Sequence, residues 1–225
     1  MSTRGTMTSM TMSDGASIGV YQVQPQGERK GGLVLIQEIF GVTEHIKEQA
    51  DRFADQGYEV LAPAVYDREA PGLQASYSPG DIAKAVNIAR VLHPFALTMA
   101  DTQTCIDALK ARGPVYITGY CYGGSVSWAA ACRCSGLAAA SGYYGSLVPA
   151  MAAETPKCPT ILHFGRHDAG IPMEGVEKVQ AAHPEVPVYV YEAGHGFNSD
   201  RRKDYHAESA TLAFDRTLAL FKSAP

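Results

Sequence analysis

The stretch that most narrows the possible folds is a strand that gives way to a helix within a single turn. Val115 to Thr118 is apolar and β-branched and runs straight into Gly119-Tyr120-Cys121-Tyr122-Gly123-Gly124. From Tyr122 to Ala131 the chain is rich in Gly, Ser and Ala, the composition of a closely packed helix. So tight a turn strains the backbone of its central residue and leaves room only for small residues beside it. It also lifts the central side chain, Cys121, above the strand end, where the N–H groups of the following helix face any developing negative charge. Taken alone, the same residues equally describe a buried structural cysteine in a glycine-rich turn, because free cysteine is among the most buried residue types.

Around this turn, strand-like and helix-like segments alternate. Leu33 to Ile36, after Gly31-Gly32, reads as a buried strand, and Glu38 prevents Gln37-Glu38-Ile39-Phe40-Gly41 from continuing it. Ile46, Ala50, Phe53 and Ala54 mark one helical face, ended by Gly57. Tyr58 to Ala62 predicts the next strand, and residues 67–80 a surface excursion with two prolines and two glycines. Ile82, Ala85, Val86 and Ala89 predict a helix, residues 97–111 another, and Ala207, Ala210, Phe214, Leu218 and Phe221 a third at the C-terminus. Leu137 to Tyr144, Thr160 to Phe164 and Val186 to Tyr191 are further strand candidates. This alternation predicts an α/β fold with a mostly parallel central sheet and helices on both faces. Residues 1–16 are expected to form a flexible arm or an edge strand, and residues 17–225 a single domain.

Composition removes several function classes. A net charge of −4 over 225 residues lacks the concentrated positive charge that nucleic acids or anionic membranes require. No apolar run reaches the roughly 18 residues of a membrane span. The polar stretch from Met1 to Ser17 has no apolar core of a secretory leader, and five cysteines without framework spacing suit a reducing compartment. A cytoplasmic protein, a monomer or small homo-oligomer, is therefore expected.

Two further residues give Cys121 a chemical context. Asp168 lies in a loop after the predicted strand Thr160 to Phe164, and His195 in Ala193-Gly194-His195-Gly196-Phe197, just beyond another. Nucleophile, acid and histidine in that chain order is the order of an α/β-hydrolase triad, whose members sit on loops at strand ends. The imidazole would take the thiol proton and the carboxylate would fix its tautomer, so His195 is expected to titrate near neutrality.

Together, Gln37-Glu38-Ile39-Phe40-Gly41, the Cys121 turn, the Asp168 loop and the His195 segment resemble the dienelactone hydrolase family, from about residue 17 to the C-terminus. The resemblance implies an α/β-hydrolase fold and a Cys121–His195–Asp168 triad acting on a small ester or lactone without metal or cofactor. It also implies an oxyanion hole from the backbone N–H groups of Ile39 and Tyr122. Glu38 would accept the thiol's hydrogen bond at rest and leave when substrate binds; the alternative is an ion pair with a residue such as Lys47. The family's type reaction opens an unsaturated, carboxylated lactone during breakdown of chlorinated aromatics.

One part of the family pattern is absent. The arginine expected shortly after the histidine is replaced by Ser199, with Arg201 and Arg202 following, and the only arginine between Gln74 and Leu92 is Arg90. Arg202, Phe40, Phe197 and Tyr66 are the candidate substrate-binding residues. A general carboxylesterase or thioesterase, or an idle fold that binds a small ligand beside a redox-sensitive Cys121, are the competing readings. His163 and His167 lack a zinc motif, and Gly119, Gly123 and Gly124 lack dinucleotide spacing.

Overall fold

The protein is described by a computed structural model covering residues 3–224. The chain groups into two compact units, Met1–Tyr116 and Ile117–Pro225.

In the first unit, strands β1 (Thr6–Thr11), β2 (Ser17–Val23), β3 (Gly31–Ile36) and β4 (Tyr58–Pro63) are ordered β1-β2-β4-β3. β3 and β4 pair in parallel, with Leu33 opposite Val60, while β2 is antiparallel to both of its neighbours. Every residue of β3 and β4 is buried, which explains their near-continuous apolar sequence. Glu59 is the exception in β4. Its carboxylate is satisfied by Gln24, Arg29 and Arg112 at 2.9, 2.8 and 2.7 Å. Helices α1 (Glu44–Asp55), α2 (Pro79–Asn87) and α3 (Phe95–Lys110) complete this unit, with a π-helical turn at Ile88–Leu92. The buried face of α1 includes Ile46, Ala50, Phe53 and Ala54, as their spacing predicts.

β5 (Val115–Tyr120) leads into the second unit, where β6 (Ala139–Tyr143), β7 (Thr160–Gly165) and β8 (Val188–Tyr191) follow in that order. β6, β7 and β8 are parallel. Helices α4 (Tyr122–Arg133), α5 (Met173–Ala182) and α6 (Ala207–Ser223) connect or follow them. The result is the mostly parallel, eight-stranded α/β architecture expected. Near the N-terminus, β1 pairs along its whole length with β2. Among the described residues no helix is long and apolar enough to cross a membrane.

Candidate active site

The turn at Cys121 is as tight as its glycines imply. β5 ends at Tyr120 and α4 begins at Tyr122, so Cys121 alone makes the corner, with φ +56° and ψ −111°. A non-glycine residue in that region costs on the order of 1–3 kcal/mol, so the surroundings must hold it there. They do so through the backbone. Cys121 N–H donates to the Tyr143 carbonyl at 3.0 Å, and its own carbonyl accepts from Gly124 N–H at 3.0 Å and Ser125 N–H at 3.2 Å. A Cβ on Gly119 would collide with the Gly123 carbonyl, and one on Gly124 with that of Tyr143. The glycines therefore let α4 lie directly against its neighbours' backbone.

Backbone stitching also brings the other two residues together. Arg166 N–H donates to the Tyr191 carbonyl at 2.8 Å and His167 N–H to that of Ala193 at 3.0 Å, tying the loop after β7 to the loop after β8. Gly165 permits this approach, since a side chain there would strike the Ala193 carbonyl. Asp168 is fully buried at its carboxylate. Oδ1 accepts from Gly170 N–H at 2.8 Å, and Oδ2 lies 2.6 Å from His195 Nδ1. His195 also shares a hydrogen bond with the Cys121 side chain. Burial alone would disfavour its charge, but the bonds to Asp168 and Cys121 outweigh burial and push its pKa up to about 10. The neutral-range titration expected from sequence is thereby corrected: a 2.6 Å carboxylate stabilises imidazolium more than the interior penalises it.

An aromatic floor supports the histidine. Tyr144, the other non-glycine residue with positive φ among those described (+37°), meets His195 edge-on at 5.2 Å and Phe197 at 5.2 Å. Phe197 in turn packs on Tyr191 at 5.0 Å. Below, buried His163 bonds the Tyr191 hydroxyl at 2.8 Å and Thr217 Oγ1 at 3.2 Å. Its burial first, and the nearby Arg216 second, push its pKa down to about 3. Tyr144 was not legible as a site residue, because only its position at the end of β6 brings it under His195.

The remaining candidates fall as follows. Phe197 is fully buried in the floor just described. The Arg202 side chain lies over Gly196, where a Cβ would be 2.5 Å from its Nε, whereas Arg201 pairs with Asp200 on the surface. Ser199 is buried, its N–H bonded to the Gly196 carbonyl at 2.9 Å. Tyr122 opens α4. Glu38, Ile39, Phe40 and Tyr66 belong to the first unit. Glu38 is fully buried and its Oε2 accepts from the Tyr77 hydroxyl at 3.3 Å, while Lys47 pairs with Glu44. Phe40 meets the Tyr77 ring edge-on, and Tyr66 is buried against His93. Among the described residues no group of His, Cys, Asp and Glu is arranged to hold a metal ion.

Comparison with known proteins places this geometry in a wider set. The profile of the dienelactone hydrolase family matches residues 18–224. A provisionally named carboxymethylenebutenolidase of Escherichia coli K12 is 33% identical over 238 residues, spanning 93% of this chain and 84% of its own. A carboxymethylenebutenolidase of Pseudomonas putida is 29% identical, with 91% of each chain covered. The crystal structure of a provisionally assigned dienelactone hydrolase from Klebsiella pneumoniae superposes with a TM-score of 0.86 at 30% identity, covering 98% of both chains.

Proposed function

Because the chain belongs to the dienelactone hydrolase family and is a carboxylic-ester hydrolase, we propose that it cleaves a small ester or lactone through an acyl-enzyme on Cys121. The single observation that supports this reading best is the His195 ring, bonded to both Asp168 and Cys121 at a corner whose backbone is held in the left-handed region. The chain is read as one hydrolase domain whose substrate is a small molecule.

The steps follow from proton and charge accounting. His195 holds the proton given up by Cys121, and the thiolate sulfur attacks the carbonyl carbon, moving the π pair onto oxygen. The backbone N–H groups of Ile39 and Tyr122 receive that oxyanion, Tyr122 with the partial positive charge at the start of α4. As the intermediate collapses, the carbon–oxygen bond of the leaving group breaks and His195 gives that oxygen its proton. For a lactone the alcohol stays attached as the far end of the acyl chain. Water then gives a proton to His195 and its oxygen to the acyl carbon, and release of the acid returns sulfur to the histidine pair. Asp168 keeps Nδ1 as a donor throughout and stabilises the imidazolium.

Glu38 acts before these steps. A carboxylate beside a resting thiol disfavours the thiolate, so Glu38 keeps Cys121 neutral until substrate displaces it, and the thiol proton then passes to His195. Arg202 holds the carboxylate of an acidic substrate from beside Gly196.

The test is hydrolysis of a panel containing p-nitrophenyl acetate, alkyl esters and a small carboxylated lactone, run beside Cys121→Ala. Expected are turnover by the parent, essentially none by the variant, and an adduct on Cys121 in denaturing mass spectra with a slow substrate. Cys121→Ser should be much slower, since a hydroxyl is harder to deprotonate. An alanine variant with parental rates would end the acyl-enzyme reading, and a parent that turns over nothing would favour an idle binding protein.

A further inference from the structure

We propose that Tyr77 is a positioning residue for Glu38, its hydroxyl holding the buried carboxylate in the orientation from which it acts on the thiol; this rests on the role given to Glu38 above. The Tyr77 hydroxyl donates to Glu38 Oε2 at 3.3 Å, and its ring stands edge-on to Phe40 with centroids 4.8 Å apart and planes at 77°. Tyr77 thus contacts both Glu38 and the residue two further along, from a loop 39 residues away in sequence.

The loop around Tyr77 is braced on both sides. Before it, Gln74 bridges to Gly41, and Ala75 N–H donates to the Phe40 carbonyl at 2.9 Å. Gly41, at φ +88°, leaves no space for a Cβ beneath the Leu73 carbonyl, so the two segments meet backbone to backbone. After it, the Asp81 carboxylate accepts from Ser76 N–H at 2.9 Å and from Ser76 Oγ, while Ser78 Oγ accepts from Asp81 N–H and caps α2. Residues 73–76 are therefore fixed to the Glu38 segment and 76–78 to the helix, with Tyr77 between the two anchors. A phenylalanine would make the same edge-on contact with Phe40. The hydroxyl is what engages the carboxylate.

A fully buried carboxylate is costly without hydrogen bonds, and the one from the Tyr77 hydroxyl engages Oε2 and so restrains the orientation of the carboxylate. At 3.3 Å the bond is longer than the usual O–H···O distance of about 2.7–2.8 Å.

The experiment compares Tyr77→Phe, Glu38→Gln and the double variant by steady-state hydrolysis of an alkyl ester, by the rate at which iodoacetamide alkylates Cys121 without substrate, and by thermal midpoint. Tyr77→Phe is expected to lower kcat about three- to tenfold, the scale of one ordinary hydrogen bond, with KM and thermal midpoint near parental values. It should speed alkylation in the same direction as Glu38→Gln, and by less. In the Glu38→Gln background, removing the hydroxyl should change neither rate. If Glu38→Gln alters both rates while Tyr77→Phe alters neither, the positioning role is overturned and the Glu38 reading stands. If Tyr77→Phe has an equal effect with or without Glu38, its role is structural and the proposal again fails. If Glu38→Gln itself leaves both rates parental, the Glu38 reading falls and takes this one with it.

Discussion

Replacing Asp168 by asparagine should move the pH at which His195 loses its proton, and the structure sets the scale. The imidazole's ordinary value of 6.5 is raised to about 10 in the folded chain, despite burial, by its bonds to Asp168 and Cys121. That change corresponds to about 5 kcal/mol of preference for the imidazolium. Its contribution to stability is fully present below pH 6.5 and is lost as pH rises through about 10. A hydrogen bond to a charged group is worth about 1.5–3 kcal/mol, so Asp168→Asn should lower the midpoint by about one to two pH units. The asparagine amide can also present its own N–H to Nδ1 and select the wrong tautomer, so kcat should fall by at least about 10²-fold. The assay is nitrogen-15 NMR of labelled histidines from pH 5 to 11, with His195 assigned through His195→Gln. Ethyl ester hydrolysis should show an alkaline limb as the imidazolium that protonates the leaving alkoxide disappears. A p-nitrophenyl ester, whose leaving group needs no proton, should show a weaker one. A parental His195 midpoint between 6 and 7, or one unmoved in Asp168→Asn, would refute the reasoning.

Four other outcomes follow from particular positions. Gly124→Ala should abolish activity and cost at least about 2 kcal/mol, because its Cβ collides with the Tyr143 carbonyl that also anchors Cys121. Gly80→Ala, in the first turn of α2 with nothing within 4 Å, should instead stabilise by about 0.5–1 kcal/mol in urea unfolding. Arg202→Met should raise KM for a carboxylated lactone about tenfold or more and leave neutral esters nearly unchanged. Glu59→Gln should cost about 2–3 kcal/mol near neutral pH. Burial opposes the charge of Glu59, but bonds from Gln24, Arg29 and Arg112 hold its pKa below 4.5. Its contribution is therefore present above that value and lost as pH falls through the folded-state value, so parent and variant should converge in acid denaturation.

What could be read from sequence was what depends on neighbours in the chain. The Cys121 corner was legible because Gly119 and Gly124 are needed within a few residues of the nucleophile, and α1 because Ile46, Ala50, Phe53 and Ala54 repeat at helical spacing. α5 escaped because its buried face holds only Val176 and Val179. β2 carries Ile18, Val20, Tyr21 and Val23 to the interior, and although β1 precedes it directly, its other antiparallel partner, β4, arrives from Tyr58–Pro63. The same holds at the site. Tyr77 meets Glu38 only because Leu73 folds over Gly41, and the protonation of His195 depends on a 2.6 Å distance that no spacing encodes.

The neutral histidine beneath the aromatic floor gives the fold an acid limit. His163 refuses a proton until about pH 3, whereas in an unfolded chain the same imidazole accepts one near 6.5. Protons are thus a ligand that binds the unfolded state alone over that interval, and mass action draws the equilibrium toward it. Each pH unit below 6.5 removes about 1.4 kcal/mol, or close to 3 kcal/mol by pH 4.5, from a total that in domains generally is about 5–15 kcal/mol. The burial that keeps this ring neutral, bonded to Tyr191 and Thr217 and beside Arg216, therefore becomes a liability in acid. Acid unfolding should therefore take up a proton at His163 as the chain opens, and stability should begin to fall below about pH 6.5, before the surface carboxylates are neutralised.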